Sequence, residues 1–107
     1  MLRQPEHINQ AIKTIDELIT QNASRLDVGE IVIIVCGEAV VNLTTTDAEA
    51  WVQKTKKYKN MSIVACGLSL DKFKKSESDL VDGITYTRNG FIKAFELQKQ
   101  GYLSVEL

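Results

Sequence analysis

The sequence predicts an α/β fold on a mainly parallel sheet, and two observations carry that prediction. Ile31-Val32-Ile33-Ile34-Val35-Cys36-Gly37 and Met61-Ser62-Ile63-Val64-Ala65-Cys66-Gly67 are short, almost wholly apolar runs that both stop at Cys-Gly. Runs of that length and β-branched content read as strands buried on both faces, the kind found inside parallel sheets. Helical patterns alternate with them, which implies right-handed parallel crossovers. In open α/β sheets, ligands and chemistry gather just outside the carboxyl ends of strands. Both cysteines of the chain therefore fall where such a fold puts its crevice.

The elements follow in order. Ile8, Ala11, Ile12, Ile15, Leu18 and Ile19 keep one helical face apolar. Pro5 suits the first turn, and Glu6 complements the helix dipole, so this helix is predicted over 5–22. Asp27-Val28-Gly29 leads into the first strand, 31–36. Thr46-Asp47-Ala48-Glu49 reads as a capping box. Behind it Ala48, Trp51, Val52, Thr55 and Tyr58 share one face, and Lys54, Lys56, Lys57 and Lys59 match the negative helix end, with Asn60 as the stop. The second strand, 61–66, comes next. A short helix is predicted after Gly67 with Ser69 as N-cap, then a turn at 76–80. A strand over 84–87 follows the Asp82-Gly83 break. A last helix is read with Phe91, Ile92, Ala94 and Phe95 inward and a stop at Gly101. The end, 102–107, alternates apolar and polar. Alternating strands suit edges, so 31–36 and 61–66 are placed side by side at the centre, with 84–87 and 102–107 outermost.

Composition bounds the rest. At 107 residues, 44% apolar and 25% charged, the chain reads as one ordinary globular domain spanning 1–107. A net charge of −1 gives no footprint for nucleic acid or an anionic membrane. No apolar run approaches the ~18–20 residues that cross a bilayer. The polar start, Met1-Leu2-Arg3-Gln4-Pro5-Glu6-His7, lacks the apolar core of a signal peptide. Cytoplasmic residence is the expectation, with both cysteines as thiols rather than a structural disulfide.

Several motifs taken together resemble the DsrE/DsrF-like family of small cytoplasmic sulfur-metabolism proteins. They are the Pro5-Glu6-His7 helix opening, Cys36-Gly37-Glu38-Ala39-Val40, and Ala65-Cys66-Gly67-Leu68-Ser69-Leu70. Asp79-Leu80-Val81-Asp82-Gly83-Ile84 and Gln98-Lys99-Gln100-Gly101-Tyr102 complete them, so the likeness runs nearly the whole length. The resemblance implies a three-layer α/β/α sandwich on a mainly parallel sheet of four to five strands. It implies assembly as a homotrimer or homohexamer, and a cysteine at the position of Cys66 that carries sulfur as a persulfide between donor and acceptor proteins. Family members open with a full strand, of which Met1–Gln4 would be a stub. Cys36 matches no cysteine of the family's sulfur transfer.

Read from the residues, Cys66 stands before Gly67 and the start of a short helix bearing Ser69 and Lys72. Backbone N–H groups and cations there favour a thiolate; the alternative is a buried cysteine filling space like a small hydrophobe. Cys36, on the neighbouring strand, reads as core or as a second thiol within disulfide reach of Cys66. Gly37 and Glu38 line the same crevice, Glu38 as an exposed turn carboxylate or a ligand-orienting group. His7 reads as a solvated first-turn residue, and Thr44-Thr45-Thr46 as loop and cap. Two cysteines and one histidine fall short of a zinc set, so no metal site is expected. The lack of a Gly-rich phosphate loop argues against a nucleotide cofactor, and none is expected. Two functions remain open: a sulfur carrier or sulfurtransferase-like protein using Cys66, and a non-catalytic oligomeric binding or scaffold protein of the same fold. An open, reactive Cys66 favours the first, a packed one the second.

Overall fold

The computed structural model describes residues 4–26, 30–56 and 61–102. The elements are α1 (Pro5–Leu26), β1 (Ile31–Val35), a 3-10 segment (Gly37–Thr44) and α2 (Asp47–Lys56). They continue with β2 (Met61–Cys66), α3 (Gly67–Lys72), a 3-10 turn (Glu77–Asp79), β3 (Thr85–Thr87) and α4 (Gly90–Lys99). Among the described residues the sheet has three strands in the order β1-β2-β3, and both pairings are parallel. The register runs from Ile31 opposite Met61 to Val35 opposite Ala65, so the two Cys-Gly runs lie side by side. Among the described strands β2 lies between β1 and β3. Ile31 and Val32, at the start of β1, are half-buried. The predicted strand 102–107 lies outside the described residues beyond Tyr102. So do Met1–Arg3, Asp27–Gly29, Lys57–Asn60 and the side chains of Leu18 and Ile19.

Because strand side chains alternate, β1 and β2 each feed two apolar clusters. Ile33, Val35, Ile63 and Ala65 point to one face and meet Ile8 and Ile12 of α1, Ala39, Val40 and Leu43 of the 3-10 segment, and Trp51 of α2. Ile34, Cys36, Val64 and Cys66 point to the other and meet Leu97 and Ala94 of α4. Ile8 and Leu43 are fully enclosed, each worth about 1.5–3 kcal/mol of burial. Trp51 Nε1–H donates to Asn9 Oδ1 at 2.8 Å and pins α2 to α1.

Two local expectations are corrected. α3 begins at Gly67, so its N-cap is Cys66 rather than Ser69. Gly37–Thr44 coils as a 3-10 segment that buries Ala39, Val40 and Leu43. Most consequentially, α4 faces the other way. Gly90, Ala94 and Leu97 face the sheet, while Phe91, Ile92 and Phe95 are 43%, 53% and 64% exposed. Small residues at Gly90 and Ala94 let this helix approach the cysteines closely. Its stop is as expected: Gly101 has φ 96°, and Tyr102 and Gly101 N–H donate to Leu97 and Gln98 O in a Schellman turn.

Candidate functional site

β1 and β2 end together, and the chain leaves both at a cysteine followed by glycine. Cys36 is 3% and Cys66 1% exposed, and no disulfide joins them. Gly37 takes a positive φ of 64°, which turns the backbone away from β1 into the 3-10 segment. From that turn its N–H donates to Ser69 Oγ at 2.8 Å, linking the two strand-end loops.

The roof of the site is the start of α4. Asn89 caps it, its Oδ1 accepting from Phe91 N–H at 3.0 Å and Ile92 N–H at 3.4 Å. Gly90 N–H, the next amide, instead donates to Cys66 Sγ at 3.3 Å. A side chain at Gly90 has no room. A Cβ there would lie 2.9 Å from Cys36 Sγ and 3.2 Å from both Cys66 Cβ and Ile34 Cγ2. Gly67 is confined in the same way, since a Cβ would lie 2.5 Å from the Tyr86 hydroxyl. On the rim Leu68 N–H donates to Arg88 O, and Arg88 pairs with Asp71 at 2.7 Å in the open.

Electrostatics at Cys66 run in two directions. Burial pushes its pKa up, yet the Gly90 amide, the Ser69 amide and hydroxyl and the Cys36 thiol together pull it below the ordinary value. The sulfur closes no cap bond on α3, so the Gly90 amide is its well-formed donor and Ser69 a neighbouring one. Lysines play no part in this balance. Lys72 is exposed at the far end of α3 and does not reach the thiol, contrary to the expectation of a cation folded over the crevice.

Of the residues singled out in the sequence, the structure brings together Cys36, Cys66, Gly37, Gly67 and Ser69. Glu38 is exposed. His7 is half-buried rather than solvated, its Nδ1 enclosed with no hydrogen-bond partner among the described residues. No group of His, Cys, Asp and Glu among the described residues could hold a metal ion. Nor is any described helix long and apolar enough to cross a membrane. The reading missed Gly90 and its cap Asn89. An asparagine just before Gly90-Phe91-Ile92 is an N-cap signal, but nothing local shows that the next glycine roofs two thiols.

Fold and site together define an α/β protein with parallel strands and a roofed thiol pair at their carboxyl ends. No family model matches the chain, and no curated protein does. Among solved structures it is similar to MTH1491 from Methanobacterium thermoautotrophicum, described as a protein of unknown function. The two share 16% identity and superpose with a TM-score of 0.73 over 97% of this chain and 90% of that one. At that identity the likeness speaks for the fold alone.

Proposed function

We propose that the chain is a sulfur-carrier or sulfurtransferase-like protein in which Cys66 holds sulfur as a persulfide. The observation that carries this reading is the Gly90 N–H aimed at Cys66 Sγ from 3.3 Å, in a setting where hydrogen-bond donors outweigh burial and favour the thiolate. That thiolate attacks the outer sulfur of a persulfide donor. One S–S bond forms on Cys66 as the donor's own breaks, and the donor departs as a thiolate. Since Cys66 is 1% exposed, loading requires the first turn of α4 to lift. α4 is suited to this, because it meets the second cluster only through Ala94 and Leu97, with Gly90 over the cysteines.

Within the same reading the fold is a three-layer DsrE-like sandwich of four to five strands in a single cytoplasmic domain. Copies assemble as a homotrimer or homohexamer, and the carrier exchanges sulfur with donor and acceptor proteins. The exposed apolar residues Leu68, Phe91, Ile92 and Phe95 support the assembly.

The near-complete burial of Cys66 favours a second reading, a non-catalytic oligomeric scaffold. Mass spectrometry after brief exposure to glutathione persulfide separates the two. The carrier reading expects Cys36→Ser to gain one sulfur atom at Cys66 and Cys66→Ser to gain none. If neither cysteine of wild type or variants is modified, and alkylation finds both closed, the scaffold reading replaces it.

A further inference from the structure

Cys36 and Cys66 leave adjacent parallel strands one step beyond the Val35–Ala65 pair, so they stand side by side. Neighbouring strands are about 4.8 Å apart, inside the roughly 4.4–6.8 Å that a disulfide spans between Cα atoms. Both side chains point to the α4 face and belong to one cluster. A single point in space, where Gly90 would carry a Cβ, lies 2.9 Å from Cys36 Sγ and 3.2 Å from Cys66 Cβ. The Cys36 thiol is also a hydrogen-bond partner of the Cys66 sulfur. A mere space-filling cysteine has no need of this arrangement. Burial adds a selection: with α4 closed over both residues, thiols in solution cannot reach the inner sulfur of a Cys66 persulfide.

We infer that Cys36 is a resolving thiol, which attacks the persulfide carried on Cys66, closes a Cys36–Cys66 disulfide and expels the carried sulfur as sulfide. The inference rests on the sulfur-carrier reading and assigns a role to the second thiol. The step balances within the protein. The persulfide S–S bond breaks and a new one forms between the two Sγ atoms. Two electrons pass from the cysteine sulfurs to the departing sulfur, and the thiol and persulfide protons leave with it as hydrogen sulfide. Once α4 lifts again, a low-molecular-weight thiol or a dithiol reductant returns the pair to its starting state by exchange. When an acceptor engages an opened α4, transfer to that acceptor competes with resolution. Closure of the helix thus commits unclaimed sulfur to release.

The experiment loads the protein with glutathione persulfide, desalts it at once, and follows intact mass, released sulfide and peptide linkage over time. Wild type is expected to pass from one sulfur atom heavier to two hydrogen atoms lighter, releasing one sulfide per chain and yielding a Cys36–Cys66 linked peptide. Cys36→Ser and Cys36→Ala keep the added sulfur and release none; the two variants guard against a fold lost to either replacement. If wild type keeps its extra sulfur as long as the variants do and releases no sulfide, the resolving role is overturned while the carrier reading stands. If no form ever gains sulfur or loses hydrogen, the carrier reading fails and takes the resolving role with it.

Discussion

Replacing Gly90 by alanine tests the roof of the site directly. In most helices this change is favourable by up to about 1 kcal/mol. Here the new methyl would lie 2.9 Å from Cys36 Sγ, 0.5 Å inside the 3.4 Å where ordinary contact begins, with Cys66 Cβ and Ile34 Cγ2 at 3.2 Å behind it. Strand backbone and core side chains hold those three atoms, so α4 is the part that gives. A shift of about that size carries the Gly90 amide from 3.3 Å to about 3.8 Å from Cys66 Sγ and weakens its hydrogen bond. Overpacking of this kind costs about 1–3 kcal/mol. Set against the full helix gain, the net loss is about 0–2 kcal/mol, read in urea unfolding. The weakened amide bond also leaves burial less opposed, so the pH midpoint of Cys66 alkylation moves upward. The plateau rate at high pH reports access separately. An alanine variant as stable as wild type, with an unmoved alkylation midpoint, would refute the close approach of α4 to the thiols.

Three further outcomes follow from the same geometry. Asn89→Ala removes the acceptor of two amides and should cost about 1 kcal/mol, with Asn89→Asp recovering most of it; equal stability of all three proteins in urea would remove the cap. The folded pKa of Cys66 lies below its ordinary 9.0, so the stability its thiolate confers is complete above pH 9.0 and lost as pH falls through the folded value. Wild type should therefore gain on Cys66→Ser in thermal unfolding as pH rises toward 9.0, and a flat difference contradicts the donor set around the sulfur. Light scattering at micromolar concentration should give a trimer or hexamer that Phe95→Glu weakens, whereas a wild-type monomer sinks the assembly.

What could be read in advance divides along the range of the interactions. The two Cys-Gly runs announced β1 and β2, because their apolar residues reflect burial on two faces, and pairing then put their ends together. α1 was legible from Ile8 and Ile12, and the end of α4 from Gly101, since periodicity and caps are local. The orientation of α4 was not legible. Phe91, Ile92 and Phe95 look like a buried face until Gly90 is known to rest on thiols that lie 24 residues and more before it. The small residues Gly90 and Ala94 permit the close approach, but the thiols that require it lie far away in the chain. Lys72 misled for the opposite reason: closeness in sequence to Cys66 became distance in space once α3 carried it to the far end.

The Gly37–Ser69 bond makes the state of the sulfur readable at a distance. Ser69 Oγ accepts the Gly37 N–H, and the same hydroxyl favours negative charge on Cys66. A hydroxyl that gives its proton to an anion becomes a better acceptor, so charge on the thiol polarises the Gly37 amide through one oxygen. Gly37 lies 32 residues from Ser69 in the chain, at the head of the segment that carries Ala39, Val40 and Leu43 into the opposite face of the sheet. The backbone thus carries a built-in indicator: the Gly37 amide resonance is expected to follow the charge on Cys66, and its neighbours in the first cluster feel whether the thiol below them is ionised.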